Sequence, residues 1–149
     1  MIPPLPPNST TLVLRRAFTD TRIRVFRSWI EPAALEHWFR PKGKGVTVRF
    51  LDARVGGSFR FDLDDGSSTI GTYLQIVSPE KLVFIWSVGA AQGRETVVTL
   101  DFLDQGPVTE VVLTHERLIT PELHAMFAGG WPSLLDLLAE VLSSPPLDF

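Results

Sequence analysis

The sequence predicts an α+β domain: one strand, two short helices, six antiparallel strands and a long C-terminal helix. Three observations carry that prediction. From Pro121 to Ser143, the residues Leu123, Phe127, Trp131, Leu134, Leu138 and Val141 recur three or four apart, which gathers them on one helical face. From Val46 to Glu116 the apolar period is two, the mark of strands. The breaks between those strand runs are short and turn-forming, so consecutive strands must run antiparallel.

Thr10 to Phe18 is β-branched and apolar enough for the first strand. Asp20 stands where an N-cap belongs, and Thr21 to Trp29 follows as a short helix, with Ile23, Phe26 and Ile30 expected to face inward. Pro32 suits the first position of a second short helix, which carries Ala33, Leu35 and Trp38. Arg40 to Gly45 is a basic, glycine-containing loop.

Beyond it, Val48, Phe50 and Asp52 share one strand face, and Phe59, Phe61 and Leu63 share a face of the next, across Gly56-Gly57. Asp65-Gly66 is a hairpin signal. Ile70 to Val77 and Leu82 to Val88 flank the turn Ser78-Pro79-Glu80-Lys81, with Leu82, Phe84 and Trp86 on one face. Gly89 to Gly93 reads as a loop, after which Glu95 to Leu103 and Val108 to Glu116 pair across Asp104 to Pro107. Thr120 is the expected N-cap of the long helix, Pro121 fits its first turn, and the prolines after Ser143 end it. Gly129-Gly130 in mid-helix cost about 1 kcal/mol each relative to alanine, so close approach to the sheet or room for a guest molecule is expected there.

With 149 residues, a single domain is expected over 10–143, between a proline-rich tail at 1–9 and a short tail at 144–149. The net charge of −3 and the absence of a long lysine and arginine run argue against nucleic acid or an anionic membrane as partner. With no cysteine there is no disulfide or thiolate chemistry. The N-terminus lacks the pattern of a signal peptide, and no apolar run reads as long enough to span a bilayer, so a cytoplasmic location is expected.

Particular residues at the joints of this layout suggest kinship. They are Arg16-Ala17-Phe18 before Asp20, Trp29-Ile30-Glu31-Pro32, and His37-Trp38-Phe39-Arg40-Pro41. Asp52 to Phe59, Gly71 to Ile76, Pro79 to Phe84, Leu113-Thr114-His115 and Gly130-Trp131 complete the set. In joint order and spacing, over about Leu12 to Leu142, the chain resembles the START-like superfamily, also called polyketide cyclase/lipid-transport-like. Within it, the branch named for the activator of the heat-shock-protein-90 ATPase is the most similar. The resemblance implies a helix-grip fold, a curved sheet closed around the terminal helix with a cavity between them.

Strand parity combined with that resemblance makes Trp38, Phe50, Phe59, Phe61, Tyr73, Trp86, Phe127 and Trp131 the candidate walls for a small hydrophobic ligand. His115 shares a strand face with Val111 and Leu113; inside an apolar cavity it could anchor a ligand oxygen or move a proton, or simply be satisfied by a neighbouring side chain. Asp52 and Arg54 could orient a polar ligand end, or pair with each other or with Arg16.

No catalytic residue, cofactor or metal is expected. His37, His115 and His124 share no ligand spacing, Asp62, Asp64 and Asp65 lack a calcium-loop pattern, and Ser87 has no partner base. The alternative to ligand binding is a protein-interaction module contacting a chaperone, with the basic loop Arg40 to Lys44 as a contact. A cyclase- or hydrolase-like enzyme using His115 with Tyr73 or Asp52 comes third.

Overall fold

Alternating apolar residues can bury only one face of each strand, and every strand among the described residues joins a single sheet whose inner face is covered by helices. The computed structural model describes residues 11–88 and 95–143. The expected tails at 1–9 and 144–149, and the Gly89 to Gly93 loop, lie outside the described residues. In chain order the elements are β1 (Leu12–Phe18), α1 (Arg22–Arg27), α2 (Pro32–Trp38), a 3-10 turn (Pro41–Gly43), β2 (Val46–Leu51) and β3 (Ser58–Leu63). Then come β4 (Ser68–Val77), β5 (Lys81–Val88), β6 (Thr96–Asp104), β7 (Thr109–Glu116) and α3 (Pro121–Ser143).

The seven strands pair in the order β1-β7-β6-β5-β4-β3-β2, antiparallel throughout, so the first strand lies beside the last. The helices α1 and α2 carry the chain from one sheet edge to the other. This is the α+β, helix-grip layout that the sequence predicts. Leu82, Phe84 and Trp86 do turn inward, beside Val98, Leu100 and Phe102 of β6 and Val111, Leu113 and His115 of β7.

Two strand irregularities alter the expected faces. Val48 pairs with Phe61 but Phe50 pairs with Arg60, so the register shifts by one at Arg49. That bulge turns Phe50 to the outer face, where it is 51% exposed, and Phe50 is removed from the expected inner wall. A second shift falls between Tyr73 and Gln75: Leu74 faces outward by alternation from buried Tyr73, and Gln75 stays exposed instead of returning inward.

The first helix also departs from expectation. It begins after Thr21, and Asp20 does not cap it; Asp20 Oδ1 accepts from the Thr21 N–H at 2.7 Å while Oδ2 binds Arg24 one turn on. Val25 and Phe26 are buried and Ile23 is exposed, because the helix is only six residues long and presents that side to β6. In α2, Pro32 occupies the first turn, and Ala34, Leu35 and Trp38 are buried.

The long helix keeps most of its predicted stripe. Leu123, Phe127, Trp131, Leu134 and Leu138 are buried, but Leu135 and Leu142 fill the remaining inner positions and Val141 is only half-buried. The Thr120 hydroxyl accepts from the Leu123 N–H at 3.1 Å, closing the N-terminus as predicted. A Cβ built on Gly129 or Gly130 would meet nothing within 4 Å, so neither glycine serves a close approach. By length and composition α3 is apolar enough to cross a membrane (mean hydropathy 1.2 over Pro121–Leu142), which corrects the expectation that no such run exists. Its leucine and aromatic face packs into the domain core.

Candidate functional site

The inner sheet face and the short helices meet in a cluster of rings. From α1, α2 and their flanks come Trp29, Leu35, Trp38 and Phe39; from the sheet come Phe59 and Phe61 of β3, Tyr73 of β4, and Phe84 and Trp86 of β5. These nine residues, eight of them aromatic, line a space of about 10 Å³, room for a single water molecule.

The rings contact mostly edge-on. Trp29 meets Trp38 at 4.7 Å between centroids and 68°, Phe39 meets Trp86 at 5.5 Å and 80°, and Phe59 stacks on Phe61 at 4.9 Å. Such pairs add about 0.5–1.5 kcal/mol each beyond their burial. Gly71 makes part of this packing possible: a Cβ there would lie 2.2 Å from both the Phe59 ring and the Ile85 carbonyl oxygen.

The space lies between the sheet and the two short helices. The terminal helix, expected to roof it, instead packs directly on the sheet next door. Of the predicted wall residues, Trp38, Phe59, Phe61, Tyr73 and Trp86 line the space, whereas Phe127, Trp131 and His115 do not. Trp131 reaches its edge, 5.6 Å from Trp86 and 6.1 Å from Trp29. Trp29, Leu35, Phe39 and Phe84 line the space too, although the sequence places them in helices, motifs or strands without marking them as walls. The aromatic run Trp29, Trp38, Phe39 across the two short helices was the available signal.

His115 is fully buried, and its two ring nitrogens are both engaged. Trp131 Nε1–H, which can only donate, gives its proton to His115 Nδ1 at 3.0 Å. The Thr96 hydroxyl donates to the Trp86 carbonyl at 2.7 Å and so accepts from His115 Nε2–H, also at 2.7 Å. The tautomer is thereby determined: Nδ1 is bare, Nε2 carries the proton, and the ring is neutral. Burial lowers its pKa to about 3. With no lone pair or proton left over, His115 is a structural tie between α3, β7, β6 and β5. It is not placed to serve an acid–base reaction or to anchor a guest.

The indole N–H groups fall into two sets. Trp131 donates to His115, and Trp38 donates to the Ser28 carbonyl at 2.8 Å. Trp29 Nε1 and Trp86 Nε1 are buried without a partner among the described residues, although both side chains line the space. Leaving such a donor unpaired costs about 1–3 kcal/mol. Two other unpaired buried atoms, Arg24 Nη2 and Glu31 Oε2, belong to residues outside the lining. Burial also drives the Tyr73 phenol pKa upward, so that hydroxyl stays protonated.

The remaining candidates sit on the surface. Arg54 Nε binds Asp52 Oδ2 at 2.7 Å, both exposed, while Arg16 pairs with Asp136 of α3 at 2.6 Å. In the basic loop, Lys44 is tied to Asp65 at 2.5 Å, and Lys42 takes a positive φ of 53° at an exposed position. Asp62 is held by Arg49 and Arg60, whose hydrogen bonds push its carboxyl far below the usual range. Among the described residues, no group of three or more histidines and carboxylates could hold a metal ion.

Comparison with known proteins agrees with this architecture. A Chromobacterium violaceum protein of known structure is 25% identical with a TM-score of 0.79, the match covering 91% of this chain and 99% of that one. An HSP90 activator from Plasmodium falciparum is 20% identical with a TM-score of 0.73, over 91% of this chain and 98% of that one. A solution structure from Arthrobacter aurescens is 19% identical with a TM-score of 0.80, over 95% of this chain and 91% of that one. No curated protein sequence matches. The family described as activator of Hsp90 ATPase homolog 1-like protein matches residues 21–143, nearly the whole folded domain. The chain therefore belongs to that family, a branch of the START-like superfamily.

Proposed function

We propose that the chain binds a small hydrophobic molecule between the sheet and the two short helices. The observation that carries this reading is the lining itself, eight aromatic residues out of nine around one residual space. A guest larger than a water molecule must displace rings, so binding includes opening of this cluster. The energetic return comes from apolar surface buried on both partners, about 25 cal/mol per Å².

Titrating a panel of apolar fluorescent probes, aromatic compounds and fatty acids against tryptophan emission tests the reading, because Trp29, Trp38 and Trp86 all line the space. A saturable change, weakened at least tenfold by Phe59→Ala or Phe39→Ala, is expected. Absence of any saturable signal across the panel overturns it.

A second reading, contact with a chaperone, draws on the family and on the likeness to the HSP90 activator. The outer sheet face supports it, since Phe50, Ile70 and Leu74 are all about half exposed there, with Arg60 paired to both Phe50 and Ile70. Stimulation of a chaperone ATPase that Phe50→Asp abolishes is its expected signature; an unchanged ATPase rate removes it.

A further inference from the structure

Ligand chemistry is more sharply constrained by the two unpaired indoles than by the apolar walls. Resting on the site proposed above, we infer that the guest is an uncharged, ring-containing molecule bearing a hydrogen-bond acceptor oxygen, selected by Trp29 and Trp86.

Four tryptophans surround or adjoin the space, and their N–H groups are not treated alike. Those of Trp38 and Trp131 are committed to the Ser28 carbonyl and to His115. Those of Trp29 and Trp86 are committed to nothing among the described residues, yet the two side chains are only 6% and 5% exposed. An indole offers a donor and no acceptor, so only an acceptor atom can satisfy either group. A carbonyl, ether or phenolic oxygen does so.

Charge is excluded by the same lining. None of its described members is acidic or basic, and the one titratable member, Tyr73, is held protonated by its burial. A carboxylate or ammonium entering such a wall would lose its hydration with no countercharge to replace it. The free acid end of a fatty acid is therefore disfavoured, while an aromatic ketone meets both demands. Trp29 and Trp86 act as specificity residues: they rank guests that the apolar walls alone would accept equally.

Three probes of one shape separate these claims: 9-fluorenone, fluorene and fluorene-9-carboxylate. Each is titrated by calorimetry into the full chain, with the indole N–H signals followed by ¹H–¹⁵N NMR. Fluorenone is expected to bind about tenfold more tightly than fluorene, the effect of one added hydrogen bond, with the carboxylate weakest. One or both of the Trp29 and Trp86 indole protons should move downfield with fluorenone alone.

In Trp86→Phe and Trp29→Phe the ratio of fluorenone to fluorene affinity should fall toward one in at least one variant. A ratio is read because both probes experience the same change in wall shape. Equal binding of ketone and hydrocarbon by the unaltered chain overturns the inference and leaves the binding site standing. Tightest binding by the carboxylate overturns it too. Failure of all three probes to bind overturns the inference, and the site falls with it only where the wider panel of apolar probes, aromatic compounds and fatty acids also gives no saturable signal.

Discussion

At the scale of single residues, His115 illustrates how hydrogen-bond polarity decides between a reactive group and a structural one. Its position on an inward strand face was readable from alternation with Val111 and Leu113. Its commitment was not, because Thr96 and Trp131 lie 19 and 16 residues away and only the fold brings them together. The neutral ring has a consequence for pH. In the unfolded chain His115 titrates near 6.5, and in the folded chain burial lowers this to about 3. Between those values the unfolded state binds the extra proton, so stability rises with pH and is lost as pH falls below about 6.5. The slope approaches about 1.4 kcal/mol per pH unit. Urea unfolding at pH 6.5, 5.5 and 4.5 should show this decline, and His115→Gln should flatten it while lowering stability at pH 6.5. A parallel decline in the variant would assign the effect to other groups.

At the scale of elements, the order and number of strands and helices were legible because each is a local pattern: period two, period 3.6, and turn residues between them. What failed was local as well, but invisible to periodicity. A single extra residue at Arg49 reverses the face of Phe50, and a six-residue helix offers too few positions for its buried side to be read. The long helix α3 holds the remaining anomaly. Gly129 and Gly130 weaken its middle and Pro132, two residues after Gly130, removes one backbone donor, while open space surrounds both glycines. Neither has a positive φ, so a methyl group fits sterically and conformationally. Gly129→Ala and Gly130→Ala should each stabilise the domain by about 0.5–1 kcal/mol, read as a higher urea midpoint at an unchanged m-value. Destabilisation by either would mean that the helix bends there in a way the packing around it requires.

At the scale of the whole molecule, the location and size of the interior space could not be inferred from sequence, because both depend on how two short helices settle against a sheet. Apolar periodicity states which side chains go inward and is silent on the volume they leave. Here they leave about 10 Å³, and that number shapes how the proposed binding would proceed. A preformed pocket fills at a rate that rises linearly with ligand concentration. A closed ring cluster must first part, or part after a weak encounter, so the observed rate should level off at high ligand. Stopped-flow tryptophan fluorescence with fluorenone in large excess is expected to reach that plateau. Leu35→Ala tests the cause. Leu35 lines the space and is nearly fully buried, so its truncation enlarges the cavity and costs about 2–5 kcal/mol of stability. The variant should bind with a plateau at least several-fold higher, or with none in the accessible range, because room now exists without ring displacement. A linear dependence in the unaltered chain would show that the aromatic cluster is already open in solution, and that ring packing does not gate entry.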